Sequence, residues 1–325
     1  MRTILVSGAS GIVGYGILRS LQRSAKELRL IGTTIYDDSI APAFCNIYEQ
    51  APPTNDSAYL KWLLNTIRKY KVDLIVPGIE IDMYKWVEHI PEIEASGAIP
   101  LLNNLELIHL CKDKWKFYEI LLEVGMSCAI ETLLSVDFEE LKSKFGLPFL
   151  LKPRRGFGSK GVVRVHSEEL FLKYQESIGS LLMVQPIIGN DDEEFTTSAF
   201  CDGRGSFYAC ITLRRKLSRD GYTEKAEVVS SDEFVGTITK LCSKFHPVGP
   251  TNFQFRKCAD GIKLLEINPR ISSSTSIRAA FGYNESAMMV NYYLEHQIPI
   301  QPNIRRGRAV RYIEDYIFYE DSIYI

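Results

Sequence analysis

The chain has 325 residues, 46% of them hydrophobic and 24% charged, with a formal net charge of −2. That is the composition of an ordinary folded protein, with enough chain for two or three subdomains. A pI near 6.3 excludes an electrostatic footprint for nucleic acid or an anionic membrane. Seven cysteines scattered without a CxxC pair argue against a disulfide framework or zinc site and for a reducing, cytoplasmic setting.

The chain opens on an apolar, β-branched run at 3–6, then Gly8-Ala-Ser-Gly11-Ile-Val-Gly14 and a predicted helix over 15–28. Strand, glycine turn and helix begin a doubly wound unit. The charge-then-apolar start also fits a signal peptide, but its glycines favour a buried strand and tight turn. No apolar run reaches the ~18 residues of a membrane span. The turn offers a dinucleotide phosphate loop, with Asp37 or Asp38 on the ribose after a strand at 29–34. The alternative is a turn that only packs the first helix closely. A short-chain dehydrogenase would also need Tyr-x-x-x-Lys, and the sequence has none.

A helix at 57–70 and a strand at 72–77 follow. Glu80 and Asp82 come next, either facing a substrate at the strand's carboxyl end or complementing a helix dipole. Helices are predicted at 105–111 and 112–124, the second ending at Gly125. The αβ alternation ends near residue 103. From Phe149 the pattern becomes α+β: a buried strand ends in Lys152, and Arg155-Gly-Phe-Gly-Ser-Lys-Gly161 is a glycine-rich loop returning as a strand at 162–165. Backbone N–H groups freed by glycine approach an anion closely, and Lys152 and Lys160 add charge. A strand at 181–184 leads to Gln185-Pro186-Ile187-Ile188, whose backbone suits an adenine edge. Either Glu193 or Glu194 suits ribose hydroxyls. Arg214, Arg215 and Lys216 precede a helix at 231–245.

The run 251–255, TNFQF, and the apolar run 262–267 around Ala259-Asp260-Gly261 predict a β-hairpin. Period-two geometry puts Gln254 and Glu266 on one cleft, with Asn268 at the strand end. One carboxylate, two amide oxygens and nearby Arg270 suit Mg²⁺ bridged to phosphate oxygens. The serine run ending at Ser276, with Ser273 and then Arg278, either holds an anion or caps a helix.

With these residues in order, the chain resembles an ATP-grasp enzyme of the carbamoyl-phosphate-synthetase-like branch. The likeness is strongest in Gln254…Glu266-Ile-Asn268-Pro-Arg270. It implies mixed α/β and α+β architecture: a Rossmann-like pre-ATP-grasp domain over 1–103 and an ATP-grasp domain over 104–300. The latter divides into a lid at about 113–184 and an antiparallel-sheet part at about 185–300, with a tail over 301–325. By resemblance, Lys114 and Lys152 are the ATP-phosphate cations. Gly156, Gly158, Ser159, Lys160 and Gly161 form the lid loop, Gln185–Ile188 the adenine hinge, and Glu194 the ribose carboxylate. Glutamate is usual at the position of Gln185, whose amide oxygen can equally accept from the adenine amine.

Gln254, Glu266 and Asn268 are then the metal ligands, with Glu266 bridging two Mg²⁺ (or Mn²⁺), and Arg270, Glu266 and Asn268 are the catalytic set. Glu80, Arg214, Arg215, Ser273 and Arg278 are substrate candidates. The implied activity joins a small-molecule carboxylate to an amine or ammonia through an acyl phosphate, releasing ADP and phosphate. The partners are small molecules, not nucleic acid or membrane, and relatives commonly form homodimers. Two other readings stand beside it: an NAD(P)-dependent Rossmann oxidoreductase or epimerase, and a non-catalytic ATP-binding module.

Overall fold

The computed structural model describes residues 1–156 and 160–318; Gly158 and Ser159 of the expected lid loop lie outside the described residues. Strands β1 (Arg2–Val6), β2 (Leu28–Thr34), β3 (Ile47–Gln50), β4 (Leu74–Val76) and β5 (Ile99–Pro100) pair in parallel in the order β3-β2-β1-β4-β5. Helices α1 (Ile12–Gln22), α2 (Tyr59–Tyr70), α3 (Glu80–Val87) and α4 (Ile90–Ala95) cover its faces. The central strand is a continuous apolar run because both faces are buried. Ile4 and Val6 pack with Ile17 and Leu18, whereas Leu5 packs with Leu63, Ile67 and Trp86.

The glycine turn is explained at close range. A Cβ on Gly14 would collide with the Gly8 carbonyl, and one on Gly78 with the Ser7 carbonyl. The turns after β1 and β4 therefore approach backbone to backbone, which only glycine allows. The first helix starts earlier than expected, at Ile12, and ends at Gln22.

The chain continues through α5 (Leu105–Cys111), α6 (Lys114–Glu123) and α7 (Phe138–Phe145) into β6 (Phe149–Pro153), β7 (Val163–Val165), α8 (Glu168–Leu172) and β8 (Leu182–Pro186). The strands form an antiparallel sheet β7-β6-β8, backed by Phe138, Leu141 and Phe171. Then come β9 (Glu194–Asp202), β10 (Phe207–Leu217), β11 (Thr223–Val229), α9 (Asp232–Phe245), β12 (Val248–Cys258), β13 (Gly261–Asn268), α10 (Thr275–Ala280), α11 (Glu285–Glu295) and β14 (Arg308–Val310). They build an antiparallel sheet in the order β13-β12-β9-β10-β11-β14.

One face of that sheet carries Phe195, Phe253, Phe255 and Ile267 onto α9, α5 and α6. The other carries the polar groups of the cleft. Phe200, Met289 and Val290 join Ile17 and Leu18 in one core, so α11 docks the parallel sheet against the larger one. The expected tail beyond residue 300 is not separate. Its β14 pairs with β11 at Ala226↔Ala309, and Arg311 Nε donates to the Thr223 carbonyl at 2.7 Å. Among the described residues no helix is long and apolar enough to cross a membrane.

Candidate active site

The hairpin β12–β13 pairs Gln254 opposite Glu266 and Asn252 opposite Asn268, with a bulge between Gln254 and Phe255. The bulge leaves Leu265 unpaired, and both Leu265 and Glu266 line the cleft. Gln254 Nε2 donates to Glu266 Oε1 at 2.7 Å, and Asn268 Nδ2 donates to the same oxygen at 3.0 Å. Arg270 lies just beyond, its guanidinium donating to Glu80 Oε1 at 2.7 Å and to the Ile271 carbonyl at 3.0 Å. Glu80 opens α3 of the parallel sheet, so this pair joins two parts of the fold.

The lid sheet supplies the opposing cations. Lys152 is the penultimate residue of β6, and Gln185 sits on β8. Lys114 is the first residue of α6, and its Nζ donates to the Gly156 carbonyl at 2.6 Å. Asp113 caps that helix and also pairs with Arg154 at 2.9 Å, which anchors the start of α6 to the end of β6. Burial pushes the Glu266 carboxyl up, but Lys152, Lys114, the Asn268 amide and Arg215 together outweigh it and hold it below the usual carboxylate range. Burial also pushes the Lys152 ammonium below the usual lysine range, with Glu266 opposing that shift. Two cations facing one carboxylate suit a polyanion brought with a divalent metal.

A cleft of about 780 Å³ joins these groups. Lys114, Lys152, Gly156, Lys160, Gln185, Pro186, Ile187, Ile188, Glu194, Arg215, Gln254, Glu266, Asn268, Arg270 and Ser273 all line it. Glu80 opens on an adjoining cavity of about 560 Å³ that shares Glu266 and Asn268. Gly161 turns at φ +77° beside Pro153 without lining either.

Two expectations fail. Arg214 is turned to the opposite side of β10, where it is exposed and pairs with Glu227 at 2.5 Å; neighbouring strand residues face opposite ways. Arg278 is wholly buried beneath the cleft, paired with Glu285 at 2.5 Å and bonded to Ser272 at 2.9 Å. It holds the fold and lines neither the cleft nor the adjoining cavity.

Sequence reasoning missed the ion-pair row across three strands. Glu194 on β9 takes Arg215 of β10 on Oε1 at 2.9 Å and Arg256 of β12 on Oε2 at 2.6 Å. The signal was present, since alternation in β12 sets Arg256 on the face of Gln254. It also missed Thr132, whose hydroxyl accepts from Gln185 Nε2 at 2.8 Å and donates to the Ile130 carbonyl at 2.9 Å. At the far end Ile12 and Val13 of the glycine turn, with Lys216, Ser218 and Tyr222, complete the wall.

Comparison with known proteins agrees with this layout. A family described as "ATP-grasp in the biosynthetic pathway with Ter operon" matches residues 180–316. The carbamoyl phosphate synthase large chain of Archaeoglobus fulgidus is 26% identical over 200 residues, 56% of this chain. The match spans only 18% of that protein's length. N5-carboxyaminoimidazole synthetase of Staphylococcus aureus superposes with a TM-score of 0.71 at 17% identity, over 93% of this chain and 80% of that one. Carboxyaminoimidazole ribonucleotide synthase of Aspergillus clavatus, complexed with ATP, gives 0.70 at 18% identity over 94% and 80%. Residues 180–316 thus match an ATP-grasp family, and the chain as a whole shares the fold of these enzymes. The ATP-grasp layout explains why polar residues from three sheets meet at one cleft: the parallel sheet, the lid and the large antiparallel sheet each contribute one wall.

Proposed function

We propose that the chain is an ATP- and Mg²⁺-dependent ligase that activates a carboxylate as an acyl phosphate and joins it to an amine or ammonia, releasing ADP and phosphate. The observation that carries this reading is Glu266, held ionised between two amide side chains and faced by Lys152 and Lys114. The cleft fits the nucleotide on a second ground. The Arg215 Nε–H is buried with no partner among the described residues, and a ribose or phosphate oxygen would satisfy it.

In this reading Lys114 and Lys152 bind phosphate oxygens, and Ile130 and Leu265 bracket the base. The Thr132 hydroxyl already donates to Ile130 and must therefore accept from Gln185 Nε2. That turns the Gln185 oxygen the other way, able to accept from an adenine amine. Glu266 and Asn268 would hold Mg²⁺, which when bound neutralises charge on the transferring phosphoryl group. Arg270, aimed by Glu80, stabilises negative charge where the carboxylate oxygen and leaving phosphate develop it. The lid over Lys152 excludes water that would hydrolyse the acyl phosphate. Lys216, Ser218, Tyr222, Ser272 and Ser273 surround the space left for the acid and amine. Its scattered thiols suit the cytosol, and the substrates are small molecules.

ADP release, screened over paired acids and amines with products read by mass, tests the reading. Glu266→Gln should cut it by about 10²–10³-fold while circular dichroism stays unchanged. Turnover near the parent rate in that variant would remove Glu266 from the chemistry.

A further inference from the structure

The sequence pattern alone makes Gln254 a metal ligand, yet its side chain is already engaged on both ends. Its Oε1 accepts from the Arg215 guanidinium and its Nε2 donates to Glu266. This orientation follows from chemistry. A guanidinium has donors only and a carboxylate acceptors only, so turning the amide over would set donor against donor and acceptor against acceptor. Asn268 is different: it too offers its nitrogen to Glu266, but its oxygen meets no donor among the described contacts. A cation at Glu266 can therefore turn Asn268 over at the loss of one hydrogen bond, which the metal bond replaces.

Arg215 is not free to withdraw. Its side chain is 3% exposed, its guanidinium is held by Glu194 at 2.9 Å, and the residue lines the cleft. It places a permanent positive charge one hydrogen bond from Gln254, where a second divalent ion would have to sit.

We propose that Arg215 stands in for one of two cations: the cleft loads a single divalent ion on Glu266 and Asn268, and Gln254 is a strut between Arg215 and Glu266. The inference rests on the nucleotide-binding reading above. The remaining Arg215 N–H groups face the nucleotide and supply the positive charge that a second ion would otherwise bring. Like charges at this separation repel, so a second ion and Arg215 exclude one another.

The test counts Mn²⁺ bound per β,γ-imido-ATP on the full chain, with free Mn²⁺ read by electron paramagnetic resonance and bound nucleotide measured separately. One Mn²⁺ per nucleotide is expected in the parent. Arg215→Met, which frees the Gln254 oxygen, should raise the count to two. Gln254→Ala should leave the count at one per nucleotide, since Gln254 itself holds no ion. Two ions per nucleotide in the parent, or a count that stays at one in Arg215→Met, would each overturn the stand-in role. If Arg215→Met does not fold, the parent count still decides, with one ion supporting the proposal and two overturning it. Failure of the nucleotide itself to bind overturns the ligase reading as well, and the separate nucleotide measurement distinguishes that outcome.

Discussion

Arg278 and Glu285 form an ion pair with side chains 0% and 1% exposed, 2.5 Å apart. Asn252 and Ser272 also accept from the guanidinium, and Ser198 donates to the carboxylate. Such a pair is weak as net stabilisation, but removing one partner strands a buried charge. Glu285→Ala should cost about 3–5 kcal/mol in urea unfolding, whereas Arg278→Met with Glu285→Leu should cost much less; equal costs would mean the charges matter little.

Lys152 makes two opposite predictions. Burial lowers its folded-state pKa, so as pH rises through that value the folded chain sheds an unfavourable charge before the unfolded chain does. Stability of the free protein should therefore rise over this window, below the ordinary lysine range. ATP affinity should fall over the same window, because phosphate loses its counter-charge. Lys152→Arg should abolish the alkaline loss of affinity, and Lys152→Met should weaken binding about ten- to a hundredfold by calorimetry. For Glu266 the sign reverses. Its depressed folded-state pKa contributes stability above the ordinary carboxylate range, and that contribution is lost as pH falls through the depressed value.

At the scale of elements, the β12–β13 hairpin was readable because Phe253 and Phe255 alternate with Asn252, Gln254 and Arg256. The apolar set is wholly buried against α9, with Phe255 and Phe234 ring centroids 5.5 Å apart. Phe253→Ala should cost about 3–5 kcal/mol, read from the urea midpoint. A loss below 1 kcal/mol would mean that face is loosely packed. The bulge at Leu265 was not readable, because one extra strand residue leaves no mark on composition. Nor was β14: a three-residue strand carries too little pattern to stand apart from a loop.

In the whole molecule, the cleft exists only where the parallel sheet, the lid and the larger sheet come together. Mg-ATP should stabilise the folded chain by mass action, about 2.7 kcal/mol at a hundredfold excess over its Kd. NADH should not raise the melting temperature. The reverse outcome in a thermal-shift assay would restore the dinucleotide reading of the first glycines. Those glycines have a packing explanation already, since Gly14 and Gly78 bring two turns into backbone contact.

The amino-acid order by itself determined the strand–turn–helix opening, the β12–β13 hairpin and the polar set Gln254, Glu266, Asn268 and Arg270, because alternation and turn chemistry are local and survive in one dimension. Tertiary structure alone decided which charges pair: Glu80 with Arg270, Glu194 with Arg215 and Arg256, and Arg278 with Glu285. Glu80 and Arg270 are 190 positions apart, and no local rule links residues at that separation. Which arginine faces the cleft and which lies beneath it depends on strand register and helix docking, and both are settled by burying the apolar faces.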